Sequence, residues 1–235
     1  MSVETKTITP DHINRVGRVL EFYVPHYRKN FHNTPYKSRT SIIRKAYPYI
    51  QSLPQGGWVL DVGAGRQLVE RDLMRKYGDI NCRMVTLDLP ISPAEDLLVK
   101  DSNTVDHIFA DGLYLPFRDE TFSFLICNMA FECMSEEVIG EMRRVLKPQS
   151  HALVNFWDKD NLPENLDELV QDKKIRGRSR RLVNFRKFLR DNNMLVSSSD
   201  EVVNLFTSYG FVVKTLQQAH DNYNVWWEVD VARGG

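Results

Sequence analysis

The chain has 235 residues, 42% of them hydrophobic and 26% charged, with 31 basic residues balancing 31 acidic ones. That length suits one α/β core with added elements, because two separate cores would each be small. No apolar run approaches the ~20 residues needed to cross a bilayer, and Met1-Ser2-Val3-Glu4-Thr5-Lys6 lacks the charged-then-apolar layout of a signal peptide, so no membrane span and a cytoplasmic location are expected.

Zero net charge conceals a sorting by segment. From Phe22 to Leu60 there is no acidic residue, whereas Arg28, Lys29, Lys37, Arg39, Arg44 and Lys45 are basic. A second acid-free run, Lys173 to Arg190, is denser in bases, and acids dominate from Asp88 to Glu141. Cys82, Cys127 and Cys133 show neither a CxxC spacing nor histidines at ligand spacing, so no metal site is expected and buried small apolar roles suit the first two.

In chain order, residues 1–55 read as a helical N-terminal cap, with Ile42, Ile43, Ala46 and Ile50 at helical spacing. Pro54-Gln55-Gly56-Gly57 breaks the chain, and residues 56–235 form the main domain. Trp58 to Val62 is a strand that ends at glycines, and Gln67 to Tyr77 is the helix behind it. Cys82 to Leu87, His107 to Ala110 and Phe122 to Cys127 are further strands, with a helix at Ala94 to Val99. Phe122 to Cys127 is apolar almost throughout, as a strand buried on both faces requires. Ser135 is placed as the N-cap of a helix carrying Val138, Ile139, Met142, Val145 and Leu146, which Lys147-Pro148 stops. Ala152 to Phe156 is the fifth strand, and residues 157–197 are a basic helical insertion. Ser198-Ser199-Asp200-Glu201 opens a helix as a capping box that ends at Gly210, and Phe211 to Leu216 and Asn224 to Val231 close the chain as strands. The alternation predicts a doubly wound, mostly parallel, Rossmann-like seven-stranded sheet with an antiparallel last strand, N-terminal helices and a helical insertion after the fifth strand.

In such a sheet ligands bind beyond the carboxyl ends of the strands. Gly63-Ala64-Gly65 allows a tight turn and a close approach of backbone to ligand, and the following helix N-terminus presents amide donors. Asp61 just ahead of it suits a cationic amino group and would repel a pyrophosphate; Leu68 stands where a nicotinamide-type GxGxxG needs glycine. Asp88, at the end of the second strand, can grip two ribose hydroxyls. After the third strand comes Asp111-Gly112, then Leu115-Pro116-Phe117-Arg118-Asp119-Glu120-Thr121-Phe122.

With Val59-Leu60-Asp61-Val62-Gly63-Ala64-Gly65, Asp88, Ala110-Asp111-Gly112, the Leu-Pro-Phe-x-Asp-x-x-Phe stretch and Glu141-Met142-Arg143-Arg144-Val145-Leu146-Lys147-Pro148, the sequence resembles class I S-adenosylmethionine-dependent methyltransferases, in particular the small-molecule branch related to ubiquinone and menaquinone C-methyltransferases. The resemblance runs from about Gly57 to Phe156 and, by layout, from Ser198 to Val231. It implies S-adenosylmethionine as cofactor, with Asp61, Gly63, Ala64 and Gly65 at its methionine part, Asp88 and Leu89 at ribose, Asp111 and Gly112 at adenine, and Asn128 lining the site. Gln67 replaces the third glycine of the usual turn and could add a side-chain contact; Glu132-Cys133 replaces a common Glu-His, so a histidine base there is not carried over.

Methyl transfer from a sulfonium needs alignment and exclusion of water more than acid–base help. A base matters only for a protonated nucleophile, and His26, Tyr27, His32 and Glu132 are the candidates. The resemblance sets the N-terminal helices and the insertion over the acceptor; both carry the basic runs, so a small anionic acceptor is expected. Solvated helix faces are the plain alternative for those charges. An RNA methyltransferase using the basic segments, or an S-adenosylmethionine-binding protein without catalysis, are the competing readings. Trp226 and Trp227 alternate in the last strand, so at most one could face a pocket, and core packing is the expected use of both.

Overall fold

The computed structural model describes residues 10–27, 36–78, 80–90, 103–158, 198–220 and 225–234, with Val99, Gln171, Asn184, Lys187 and Phe188. The elements are α1 (Pro10–Tyr27), α2 (Tyr36–Ser52), β1 (Gly57–Val62), α3 (Leu68–Tyr77), β2 (Cys82–Asp88), β3 (Val105–Phe109), β4 (Phe122–Asn128), α4 (Val138–Val145), β5 (Leu146–Trp157), α5 (Ser199–Ser208), β6 (Phe211–His220) and β7 (Val225–Arg233). The seven strands order as β3-β2-β1-β4-β5-β7-β6. β1 to β5 pair in parallel, and β7 runs antiparallel to both β5 and β6. The expected helix at Ala94 to Val99 and most of the basic insertion lie outside the described residues.

Strand alternation sorts the core into two layers. Leu60, Val62, Leu125, Cys127 and Val154 face α4 and α5, where Val138, Ile139, Met142, Val202 and Phe206 meet them. Val59, Phe124, Ile126 and Leu153 face the other way, onto Ile42, Ile43, Ala46 and Ile50 of α2 and Val69 and Leu73 of α3. The apolar stripe of α2 is therefore part of the sheet's own core. Cys82 and Cys127 are buried, Trp226 and Trp227 are buried on opposite faces, and the capping box forms, with Ser198 Oγ accepting from Glu201 N at 3.2 Å and Glu201 Oε2 from Ser198 N at 3.2 Å.

Two local expectations are corrected. Glu137, not Ser135, stands at the N-cap of α4, without a side-chain cap; Ser135 lies in the turn before it, where its carbonyl accepts from Val138 N at 3.1 Å. β5 starts at Leu146, not Ala152. Leu146 already pairs with Phe122, and the register shifts before His151 meets Phe124. The exposed Lys147-Pro148-Gln149 segment occupies that irregularity, with Gln149 at φ 62°, where a proline without an N–H is tolerated.

Polar groups tie α2 down as firmly as the apolar ones. Arg39 pairs with Asp72 of α3 at 2.8 Å, and Lys45 with Glu228 of β7 at 2.7 Å. Burial opposes the charge on Glu228, but Lys45, Trp226 and Ser41 donate to it and hold its pKa below the ordinary carboxylate value. Two of the six bases of the first acid-free run are thus consumed in structural ion pairs. Glu141 and Arg144 of α4 have a comparable task. Glu141 accepts from Leu115 N at 2.9 Å, while Arg144 bonds Glu141, Asp119 and the carbonyls of Leu115 and Phe117. They fasten the Leu-Pro-Phe loop to the helix. Among the described residues no helix is long and apolar enough to cross a membrane.

Ile42 has no solvent exposure, so Ile42→Ala is expected to cost about 2–5 kcal/mol of unfolding free energy, read from the shift of a urea midpoint at unchanged slope. A loss within about 0.5 kcal/mol, typical of surface substitutions, would show that α2 is not part of the cooperative core.

Candidate active site

Between β1 and β4 the order of the strands reverses, and a cleft opens beyond their carboxyl ends. It encloses about 1020 Å³ including its open mouth. Asp61, Gly63, Ala64, Gly65, Asp88, Leu89, Asp111, Gly112 and Asn128, the residues singled out from the sequence, all line it. His32 lies outside the described residues, as do the side chains of His26, Tyr27 and Glu132.

The turn after β1 is left-handed at both glycines, with φ of 76° at Gly63 and 56° at Gly65. Gly63 is required twice over: a Cβ there would stand 2.2 Å from the Cβ of Ala130 in the turn after β4. Gln67 also has a positive φ, 63°, as the N-cap of α3. Its side chain turns inward, giving Nε2 to Thr86 Oγ1 at 2.9 Å and accepting from Val99 N at 3.0 Å. The contact it adds is therefore to the protein itself, tying the turn to β2 and the segment behind it.

Asp88 accepts from two backbone amides, Gly65 N at 2.5 Å and Leu89 N at 2.7 Å. Burial outweighs those donors and pushes its pKa up to about 7. Each oxygen keeps a lone pair for a further donor, as a vicinal diol would supply. Asp111 caps a short 3-10 helix (Gly112–Tyr114) by accepting from Leu113 N at 3.0 Å, and a Cβ on Gly112 would meet Met134 Sδ at 2.8 Å.

Asp61 is different. It is 1% exposed, it lines the cleft, and among the described residues no donor apart from a protonated neighbouring acid is in reach of either carboxylate oxygen. Burial, then the neighbouring carboxylates of Glu70 and Asp88, push its pKa well up. An orphaned, buried carboxylate at the wall of a cleft fits a cationic ligand group and opposes an anionic one.

Three features of the site have no local signature in the sequence. Arg15 of α1 lines the cleft and donates to the carbonyl of Met134, while its Nε has no partner among the described residues. Burial lowers its pKa, partly offset by Cys133 and Glu137. Ser38 of α2 is wholly buried and donates to Asn128 Oδ1 at 3.0 Å; Asn155 Nδ2 reaches Ser38 Oγ at 3.0 Å, Ser38 O at 3.4 Å and Asn128 Oδ1 at 3.3 Å. A backbone carbonyl only accepts, so Ser38 O fixes which end of the Asn155 amide points inward. That in turn fixes Asn128, whose oxygen is taken and whose Nδ2 is left for the cleft. Glu70, finally, is a fully buried acidic side chain in the first turn of α3.

Residues 60–154 match the family described as Methyltransferase domain. An uncharacterized protein of Methanocaldococcus jannaschii is 26% identical over 198 residues, covering 82% of this chain and 80% of that one. A tRNA (carboxymethyluridine(34)-5-O)-methyltransferase of Arabidopsis thaliana is 25% identical over 147 residues, 60% of this chain but 32% of its own length. Among solved structures, a phosphoethanolamine N-methyltransferase 2 of Haemonchus contortus, in complex with phosphomonomethylethanolamine and S-adenosylhomocysteine, has a TM-score of 0.61 at 12% identity, over 96% of this chain and 58% of that one. Sheet order, glycine turn and domain match together define the class: an S-adenosylmethionine-dependent methyltransferase with a Rossmann-like fold, whose cofactor is S-adenosylmethionine.

Ser38→Ala leaves two asparagines short of a buried partner, a defect of about 1–3 kcal/mol. The expected result is a several-degree fall in Tm together with weaker S-adenosylhomocysteine binding, read by thermal melts and calorimetry. Unchanged binding would separate the asparagine pair from the cleft.

Proposed function

We propose that this methyltransferase acts on a small anionic acceptor, which Arg15 of α1 receives at the cleft. The observation that carries the reading is the Arg15 guanidinium: half-buried, in the cleft wall, with an Nε that has no partner among the described residues. A charge in that position is stabilised by an opposite one. When bound, S-adenosylmethionine supplies a methyl carbon already activated by a sulfonium, ready for in-line displacement.

The chain's own residues then bind and align. Asp61 takes the ammonium of the methionine part, the turn at Gly63, Ala64 and Gly65 lets the backbone lie against it, and Asp88 with Leu89 holds the ribose. Asp111 and Gly112 border the adenine. Asn128 turns a donor towards the reacting end, a group suited to an acceptor bearing lone pairs rather than N–H bonds. The acceptor named in the Haemonchus structure shares the anionic phosphate, although the atom methylated there is an amine nitrogen.

A tRNA acceptor is the second reading, favoured by the name of the Arabidopsis relative. Against it, Arg39 and Lys45 are neutralised by Asp72 and Glu228, which thins the basic surface that a phosphate backbone needs.

The test is a methyl-transfer screen of carboxylate- and phosphate-bearing small molecules beside amines, neutral alcohols and bulk tRNA. With the acceptor so found, Arg15→Gln is expected to lower kcat/KM by about tenfold to a hundredfold, since hydrogen bonds to charged groups are worth about 1.5–3 kcal/mol, with S-adenosylhomocysteine affinity unchanged. A loss of cofactor affinity instead would assign Arg15 to the cofactor, and methylation of tRNA alone would overturn the small-acceptor reading. Asp88→Ala is expected to weaken S-adenosylhomocysteine binding at least about tenfold, one charge-assisted contact being worth that much.

A further inference from the structure

Asp61 and Glu70 form an unusual pair. Alternation along β1 turns Val59 and Asp61 to the layer occupied by α3, and Glu70 comes up to meet Asp61 from the first turn of that helix. Asp61 is 1% exposed and Glu70 not at all, and among the described residues no other side chain or strand amide donates a hydrogen bond to any of the four oxygens. Two buried carboxylates cannot both stay charged with no counter-ion. They can bond each other only if one of them holds a proton.

Burial raises the pKa of both members, and Glu70 and Asp88 raise that of Asp61 further. One proton is therefore held between the two in the free protein, and Asp61 is the member that lines the cleft. The other charged groups around the same cleft are Asp88 from β2, Asp111 after β3, Arg66 in the glycine turn and Arg15 from α1.

We propose that Glu70 is a positioning residue for the cofactor: with Asp61 it shares one proton in the free protein, and the pair releases that proton when the cofactor's ammonium docks on Asp61. Cofactor capture is then proton-linked, and Glu70, which does not line the cleft, acts through Asp61 to make it so. The inference rests on the placement of the methionine part at Asp61 given above.

The sign follows from linkage. The ligand favours the deprotonated pair, so affinity falls as pH drops below the range in which the free pair loses its proton, by up to about tenfold per pH unit for one proton. The window for measurement is below the ordinary α-amino pKa of about 7.7–8.0, above which the ammonium itself is lost. Asp88 also titrates near this range, so the effect is isolated by comparing two ligands that share ribose and adenine. S-adenosylhomocysteine carries the ammonium; 5′-methylthioadenosine lacks the amino-acid part.

The experiment is titration calorimetry of both ligands on the full chain between pH 5.5 and 7.5, a window of about two units below that α-amino value, in buffers of differing ionisation enthalpy. Binding of S-adenosylhomocysteine is expected to release more protons than binding of 5′-methylthioadenosine, with a steeper rise of affinity with pH. In Glu70→Gln, whose amide can donate to Asp61 and keep it ionised, the difference between the ligands should shrink towards zero while 5′-methylthioadenosine still binds as in the parent, which shows the variant to be folded. Should Glu70→Gln fail to fold, the two-ligand comparison in the parent decides alone. Equal proton release by the two ligands in the parent, or an undiminished difference in Glu70→Gln, overturns the proposal. Failure of both ligands to bind the parent would instead overturn the placement of the cofactor.

Discussion

The reversal of strand order between β1 and β4 is the constraint from which the site follows. Right-handed crossovers carry the chain outward in opposite directions from those two strands, so no connection covers the gap between their carboxyl ends. The turns that leave them, at Gly63 and at Ala130, must therefore pack against each other or leave a hole. Apart from Arg15, Val16 and Val19 of α1, the residues that line the cleft hang from those two turns or from the segments that leave the neighbouring strands. Burial there has an electrostatic consequence: Asp61 and Asp88 stand at strand ends with little water, and both pKa values rise. The two differ in what compensates them. Asp88 has two backbone amides, whereas Asp61 has only another acid.

The two basic runs carry different weight once the fold is known. In α2, Arg39 and Lys45 hold the helix against α3 and β7 through Asp72 and Glu228, and Ser38 secures it to the ends of β4 and β5. A helix fixed by ion pairs, buried hydroxyls and an apolar stripe behaves as part of the scaffold. α1 reaches the cleft through Arg15, Val16 and Val19. Arg15 thus brings a cation to the cleft from a stretch with no conspicuous charge pattern.

Much of the site was legible in the sequence because its requirements are local. A left-handed turn asks for glycine whatever surrounds it, and a carboxylate at the end of a strand announces itself by position; hence Gly63, Gly65 and Asp88 could be named from position, and Asp111 and Asn128 from the family resemblance, before any contact was known. The seven strands, with an antiparallel one at the end, followed from alternation for the same reason. Other features depend on partners distant in the chain. Ser38 in a helix looks like any polar residue until Asn128 and Asn155 are brought to it. Glu70 reads as a favourable first-turn acid, and only the pleat of β1 reveals what it faces. Gln67 looked like a possible ligand contact, and it proved to be satisfied by Thr86 and Val99. Ser135 lost the capping position because the chain turns once more before α4 starts.

The approach of Gly63 to Ala130 also bears on how this cleft could be varied. A methyl group on one turn fills the space that the missing side chain of the other leaves open. The two positions, well separated in the chain, behave as a single packing unit with room for one methyl between them. Bulk added at residue 130 has no give at residue 63, which is already hydrogen, so it must push the turns apart and widen the floor on which the ligand rests. The width of that floor is set by the smallest side chains in the site rather than by the charged ones around it.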